Sequence, residues 1–368
     1  MFLFLDFTFG NNNMEIKHIS HFQDVSISKS FGLTPENEEI LAFELSNKNG
    51  MKVQIINFGA TVTLLQIPVS NDSLIDVVLG FNTLESYLAS YNLPGAPYFG
   101  ATVGRYAGRI NKGKFTLNDK TFQLNINNGK NALHGGNIGF GQKVWNVTNA
   151  TSGENPSITL SLLSEDLDEN FPGELHVDLT YTITEENELK LEYKATPTED
   201  TVINLTHHSY FNLDGHEGSV LDQKLFIASD KILEIDSENI PTGNFTALSD
   251  HDFDFRIPKN APASIDNSFV IEATNDAVAK LYSSKNNLQM SVYTDQPSVH
   301  IYVGGKCSDT LKGKANTKYH SSSGICFETQ NYPDAPNHTH FPNSVLKKGT
   351  EYQQKTVYKF ENINKSIN

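Results

Sequence analysis

The sequence predicts an all-β fold, a large antiparallel β-sandwich. Three observations carry that expectation. Apolar and polar residues alternate over long runs, turn-forming clusters separate the runs, and helical periodicity is scarce. Taken along the chain, KVQIINF (52–58) is the first clear strand. TLESYLASYN (83–92) is a short helix candidate. SITLSLL (157–163) alternates again, and SEDLDENFPG after it has room for one helical turn. In ELHVDLTYTIT, Leu175, Val177, Leu179, Tyr181 and Ile183 share one face. Leu189, Leu191, Tyr193 and Ala195 continue the pattern after a turn, so the stretch reads as a long hairpin with its other face polar. LQMSVYT (288–294) is another strand, and TSGENPS and SSKNNL are turns between strands.

Bulk properties narrow the function. A chain of 368 residues can bury a sizeable core, and no repeat or Pro-rich linker divides it. One domain over 15–368 is expected, with 1–14 as an extension outside the core, because Met14 is an alternative start. The formal net charge of −15 at pH 7 argues against nucleic acid and anionic membranes as partners. It suits a neutral ligand such as a sugar. MFLFLDFTFG lacks a basic start, carries Asp6 in its apolar run and has no small-x-small cleavage site after it. A cytoplasmic protein is therefore expected, with Cys307 and Cys326 reduced; the two would form one bridge only if the chain is exported.

Signatures of phosphate loops, H-E-x-x-H metalloproteases and G-x-S-x-G hydrolases are missing. His338 and His340 in NHTHF read as solvent-facing loop residues rather than metal ligands. The informative stretches lie elsewhere. In VINLTHHSYF, Ile203, Leu205 and His207 share one face, and Asn204, Thr206 and His208 share the other. His207 is thus expected in the core, and His208 where a ligand reaches it. In GICFETQNYPDAPN, Glu328 is a lone carboxylate on an apolar strand. Burial favours the protonated carboxyl, which suits a group that must both take and give a proton. In SVHIYVGG, His300 and Tyr302 oppose Val299, Ile301 and Val303. NALHGG sets His134 before two glycines, and GATVGRYAGRI brings two arginines. Imidazole plus carboxylate with no nucleotide motif indicates acid–base chemistry on a neutral substrate. Isomerase, lyase and glycosidase all remain open on this ground.

Four segments in this order, GATVGRYAGRI, NALHGG, NLTHHSYFNL and GICFETQNYPDAPN, resemble the aldose 1-epimerases, or galactose mutarotases. IPTG, DFDFR and ASIDNSF fall between them, and the resemblance covers nearly the whole chain. It implies the family's β-sandwich, no required cofactor, and a free aldose such as galactose or glucose as substrate. By that resemblance Glu328 is the catalytic base and His208 the catalytic acid. His134, Arg109 and Asp266 bind the sugar, with Tyr210 and His300 as further contacts. Some relatives carry calcium, but no ligands for it can be assigned here. A monomer is expected. Three positions depart from the family: Gly108 stands where Asn is usual, His207 where Asn is frequent, and His300 where many relatives have Gln. The resemblance therefore implies one altered sugar contact at Gly108 and a shifted sugar preference at His300. Two rivals remain. A hexose-phosphate mutarotase would call on Arg105 and Arg109, and a non-catalytic sugar-binding sandwich would not need both His208 and Glu328.

Overall fold

The computed structural model describes residues 26–70, 73–93, 95–304 and 312–363. The expected extension over 1–14 lies outside the described residues, as does Cys307 and with it any bridge to Cys326. The fold is built on three large antiparallel sheets, of five, nine and six strands. The single α-helix among the described residues, Leu84–Tyr91, falls where the sequence places it. Thr83 caps it, its hydroxyl accepting from the Ser86 N–H. SEDLDENFPG contributes one short 3₁₀ turn, Asp168–Asn170.

The alternating hairpin is the middle of the nine-stranded sheet. Leu175–Ile183 pairs with Glu188–Pro197 in continuous register, Leu179 opposite Tyr193 and Tyr181 opposite Leu191. Every apolar residue of the predicted face is buried. Tyr352–Asn362 then lies between Glu188–Pro197 and Leu288–Thr294, so a strand from late in the chain joins two halves of this sheet. The five-stranded sheet, Ser26 to Asp76, is a meander of sequential neighbours.

The six-stranded sheet positions the chemistry. Its three central neighbours are Ile265–Val270, Ser298–Val303 and Ile325–Gln330. One face carries Ile265, Phe269, Val299, Ile301, Val303, Ile325 and Phe327 into the same core as Leu175, Val177, Leu179 and Tyr181. The period of two then forces Asp266, Ser268, His300, Tyr302, Glu328 and Gln330 onto the opposite face. That face is the floor of a cavity. Register aligns the floor in rungs: Ser268, His300 and Glu328 are cross-strand partners, and so are Asp266, Tyr302 and Cys326.

Candidate active site

The cavity has a volume of about 320 Å³, within the range for small-molecule sites. Arg109, His134, His208, Tyr210, Asp266, His300 and Glu328 all line it. The structure thus brings together residues that lie far apart in sequence.

The adjacent histidines divide as the alternation predicts. His207 faces the core, its ring against Tyr181 and Tyr358. Its Nε2 bonds the Ser209 hydroxyl at 2.7 Å. Burial, and secondarily the charge of His208, pushes its pKa down to about 3, so it stays neutral. His208 faces the cavity between rings of Tyr210, Tyr98 and His134. It is nonetheless only 5% exposed, more enclosed than a polar-face residue suggests. Its Nε2 stands 3.5 Å from Glu328 Oε1, and its Nδ1 stands 3.7 Å from the Cys326 thiol. Glu328 is 2% exposed. No partner stands beside it in sequence, but in space it meets the His208 ring and lies across the strand pair from His300.

His134 sits in a left-handed turn, with φ of 52°. Its Nδ1 accepts the Gly108 N–H at 3.3 Å. Burial, then the nearby His208, Arg109 and His300, holds its pKa well below the usual imidazole range. A neutral ring whose Nδ1 accepts carries its proton on Nε2, so His134 is a hydrogen-bond donor. The loop around it is clamped from both sides. Asn127 Nδ2 donates to Leu133 O and Gly136 O, and Glu169 accepts from the Asn137 and Ile138 N–H groups.

Asp266 is a hub on the same floor. His300 Nε2 lies 2.9 Å from its Oδ1, Asn239 Nδ2 donates to its Oδ2 at 2.9 Å, and Arg109 Nη2 is 3.8 Å away. Burial opposes the charge, but His300, Arg109 and His134 outweigh it and hold the carboxyl down at about 2. His300 moves the other way. Burial alone would lower it, yet Asp266 and Glu328 raise its pKa above the usual value.

His134, His208 and Glu328 bring one potential ligand atom each within 4.8 Å of one another. The set does not fit calcium, which takes six to eight oxygens and here finds one carboxylate. It does not fit zinc either, because binding through His134 Nε2 would require a proton on Nδ1, against the Gly108 N–H.

Other residues differ from the sequence reading. Arg105 is 2% exposed and does not line the cavity. Its guanidinium donates to the carbonyls of Ser164, Glu165, Pro172 and Gly173, so it clamps loops and is unavailable to a phosphate. His338 is not a free loop residue; its ring packs on Phe341 and its Nε2 lies 3.3 Å from the buried Asp334. His340 is exposed, as expected. Sequence reasoning missed Tyr98, Asn239 and Ser268. Ser268 was legible, since it lies two residues beyond Asp266 on one strand face. Tyr98 and Asn239 come from irregular loops, where no periodicity marks them.

Comparison with known proteins identifies the family. A family model described as aldose 1-epimerase matches residues 42–359. A galactose mutarotase from Bos taurus is 39% identical over 84% of this chain and 91% of its own length. An aldose 1-epimerase from Haemophilus influenzae is 36% identical over 89% of this chain and 97% of its own. Among solved structures, an aldose epimerase homologue from C. elegans aligns with a TM-score of 0.79 at 32% identity, covering 87% of this chain and 98% of that one. A galactose 1-epimerase from Lactobacillus acidophilus aligns at 0.77 with 25% identity, covering 91% and 98%. With a family model matching most of its length, and with relatives and a solved structure above 30% identity, the chain belongs to the aldose 1-epimerase family.

Proposed function

We propose that Glu328 and His208 are the base and acid with which this aldose 1-epimerase interconverts the α and β anomers of free aldohexoses such as galactose and glucose. The observation that carries this reading is their 3.5 Å approach, both buried, at the lining of the cavity. The anomeric hydroxyl and the ring oxygen are bonded to one carbon, so the two groups serving them must lie close together. Glu328 takes the proton from the anomeric hydroxyl while His208 gives one to the ring oxygen, and the C1–O5 bond breaks. The open aldehyde rotates about C1–C2. On reclosure His208 recovers its proton from the O5 hydroxyl and Glu328 returns its own to O1. Both groups end as they began. His134, as a donor, supports the oxygen that gains charge, and Asp266 and Arg109 hold the remaining hydroxyls. No step calls on a nucleotide or metal.

With Arg105 committed to backbone carbonyls, Arg109 is the arginine left at the cavity, which disfavours the hexose-phosphate alternative. The test is polarimetry on fresh α-galactose and α-glucose. Wild type should speed relaxation to the anomeric equilibrium. Glu328→Gln should lose about 10²–10⁴-fold in kcat while sugar binding survives. A Glu328→Gln enzyme with near-normal turnover would refute the role of Glu328. A wild type that binds sugar without catalysis would favour a binding protein.

A further inference from the structure

We propose that His300, backed by Ser268, is the positioning residue for Asp266, and that the two set sugar affinity rather than turnover; this rests on the reading of Asp266 as a sugar contact. Both ring nitrogens of His300 are committed. Nε2 meets Asp266 Oδ1 at 2.9 Å, and Nδ1 meets Ser268 Oγ at 2.9 Å. The ring thus has no nitrogen left for the substrate. Its effect has to pass through the carboxylate it holds.

The register makes the arrangement rigid. Ser268 and His300 are cross-strand partners, and Asp266 lies two residues before Ser268 on the same face. Asn239 fixes the second carboxylate oxygen. An ionised carboxylate offers about four acceptor sites, so two fixed donors leave roughly two for substrate hydroxyls. His300 also sits across from Glu328 on the next strand, so its ring lies among two carboxylates, with Arg109 and His134 as the other charged or titratable groups near it.

The serine keeps the geometry through a change of charge. A hydroxyl donates to Nδ1 when the ring is neutral and accepts from Nδ1–H when it is protonated. Nε2–H donates to Asp266 in both states. Glutamine can reproduce both contacts, giving an N–H to Asp266 and an oxygen to Ser268, whereas leucine gives neither.

The test is steady-state kinetics with galactose on wild type, His300→Leu, His300→Gln and Ser268→Ala, with galactose affinity by calorimetry and melting temperature alongside. His300→Leu should raise KM and the dissociation constant about tenfold, with kcat within about threefold. His300→Gln should restore both constants to within about threefold, and Ser268→Ala should raise KM about threefold. Unchanged affinity in His300→Leu would overturn the proposal, as would a loss confined to kcat or a failure of glutamine to rescue. Should His300→Leu not fold, Ser268→Ala decides: a raised KM supports the proposal and an unchanged one overturns it. A wild type that binds galactose but is inactive would defeat the mutarotase reading alone, and calorimetry would still decide the role of His300.

Discussion

Gly108 shows how a backbone group serves the chemistry. Its φ is +77°, and a Cβ there would stand 2.9 Å from both Pro333 Cβ and Cγ. A side chain at this position meets both a disfavoured conformation and a filled space. Its N–H also fixes which nitrogen of His134 carries the proton. Gly108→Ala should therefore destabilise the protein by about 1–3 kcal/mol and lower kcat/KM, readable by chemical denaturation and polarimetry. Parity arithmetic found the outward faces of His208 and Glu328, because strands enforce a period of two. It could not find the donor role of His134, which depends on a contact between two loops. The need for glycine was equally hidden, since it rests on the φ of +77° and on Pro333, which is distant in sequence.

Among elements, the 133–138 loop is the one most dependent on borrowed support. Glu169 accepts from the N–H groups of Asn137 and Ile138 at 2.9 and 3.0 Å and from Asn125 Nδ2 at 2.8 Å. The Asn137 and Ile138 donors lie in a turn with no ladder of its own. Glu169→Ala should cost about 1–3 kcal/mol and reduce kcat/KM roughly tenfold by freeing His134. A variant with full activity and unchanged stability would show that the glycines hold the loop unaided. The strands themselves were legible: the hairpin 175–197 alternates so regularly that its buried face could be read residue by residue. The loops that wall the cavity were not, since their contacts join segments distant in sequence.

At the scale of the whole molecule, His207 ties stability to pH. Its folded pKa is about 3, against 6.5 for a free imidazole. Between these values the unfolded chain binds a proton that the folded chain refuses, so stability falls as pH drops through this window. Asp266 adds to the same trend lower down. Its folded pKa of about 2 lies below the ordinary 3.8, so its contribution is lost as pH falls from about 4 towards 2. His300 acts in the opposite sense: its raised pKa contributes stability below the ordinary value that is lost as pH rises through the folded one. His207→Asn should flatten the acid side. Urea midpoints at pH 7 and pH 4.5 should differ less in the variant than in wild type, by an amount equivalent to about 1–3 kcal/mol. Equal differences in both proteins would remove His207 from the account.

The placement of Tyr352–Asn362 between the two halves of the nine-stranded sheet has a consequence for biosynthesis. As the chain leaves the ribosome, strands 146–197 and 224–294 emerge first, and each half presents a bare edge where this strand will later insert. Such edges are templates for the wrong partner. The nascent protein therefore passes through a stage in which most of its sheet exists but its keystone does not. Stopping translation before Tyr352 should yield aggregate rather than a partly active fragment.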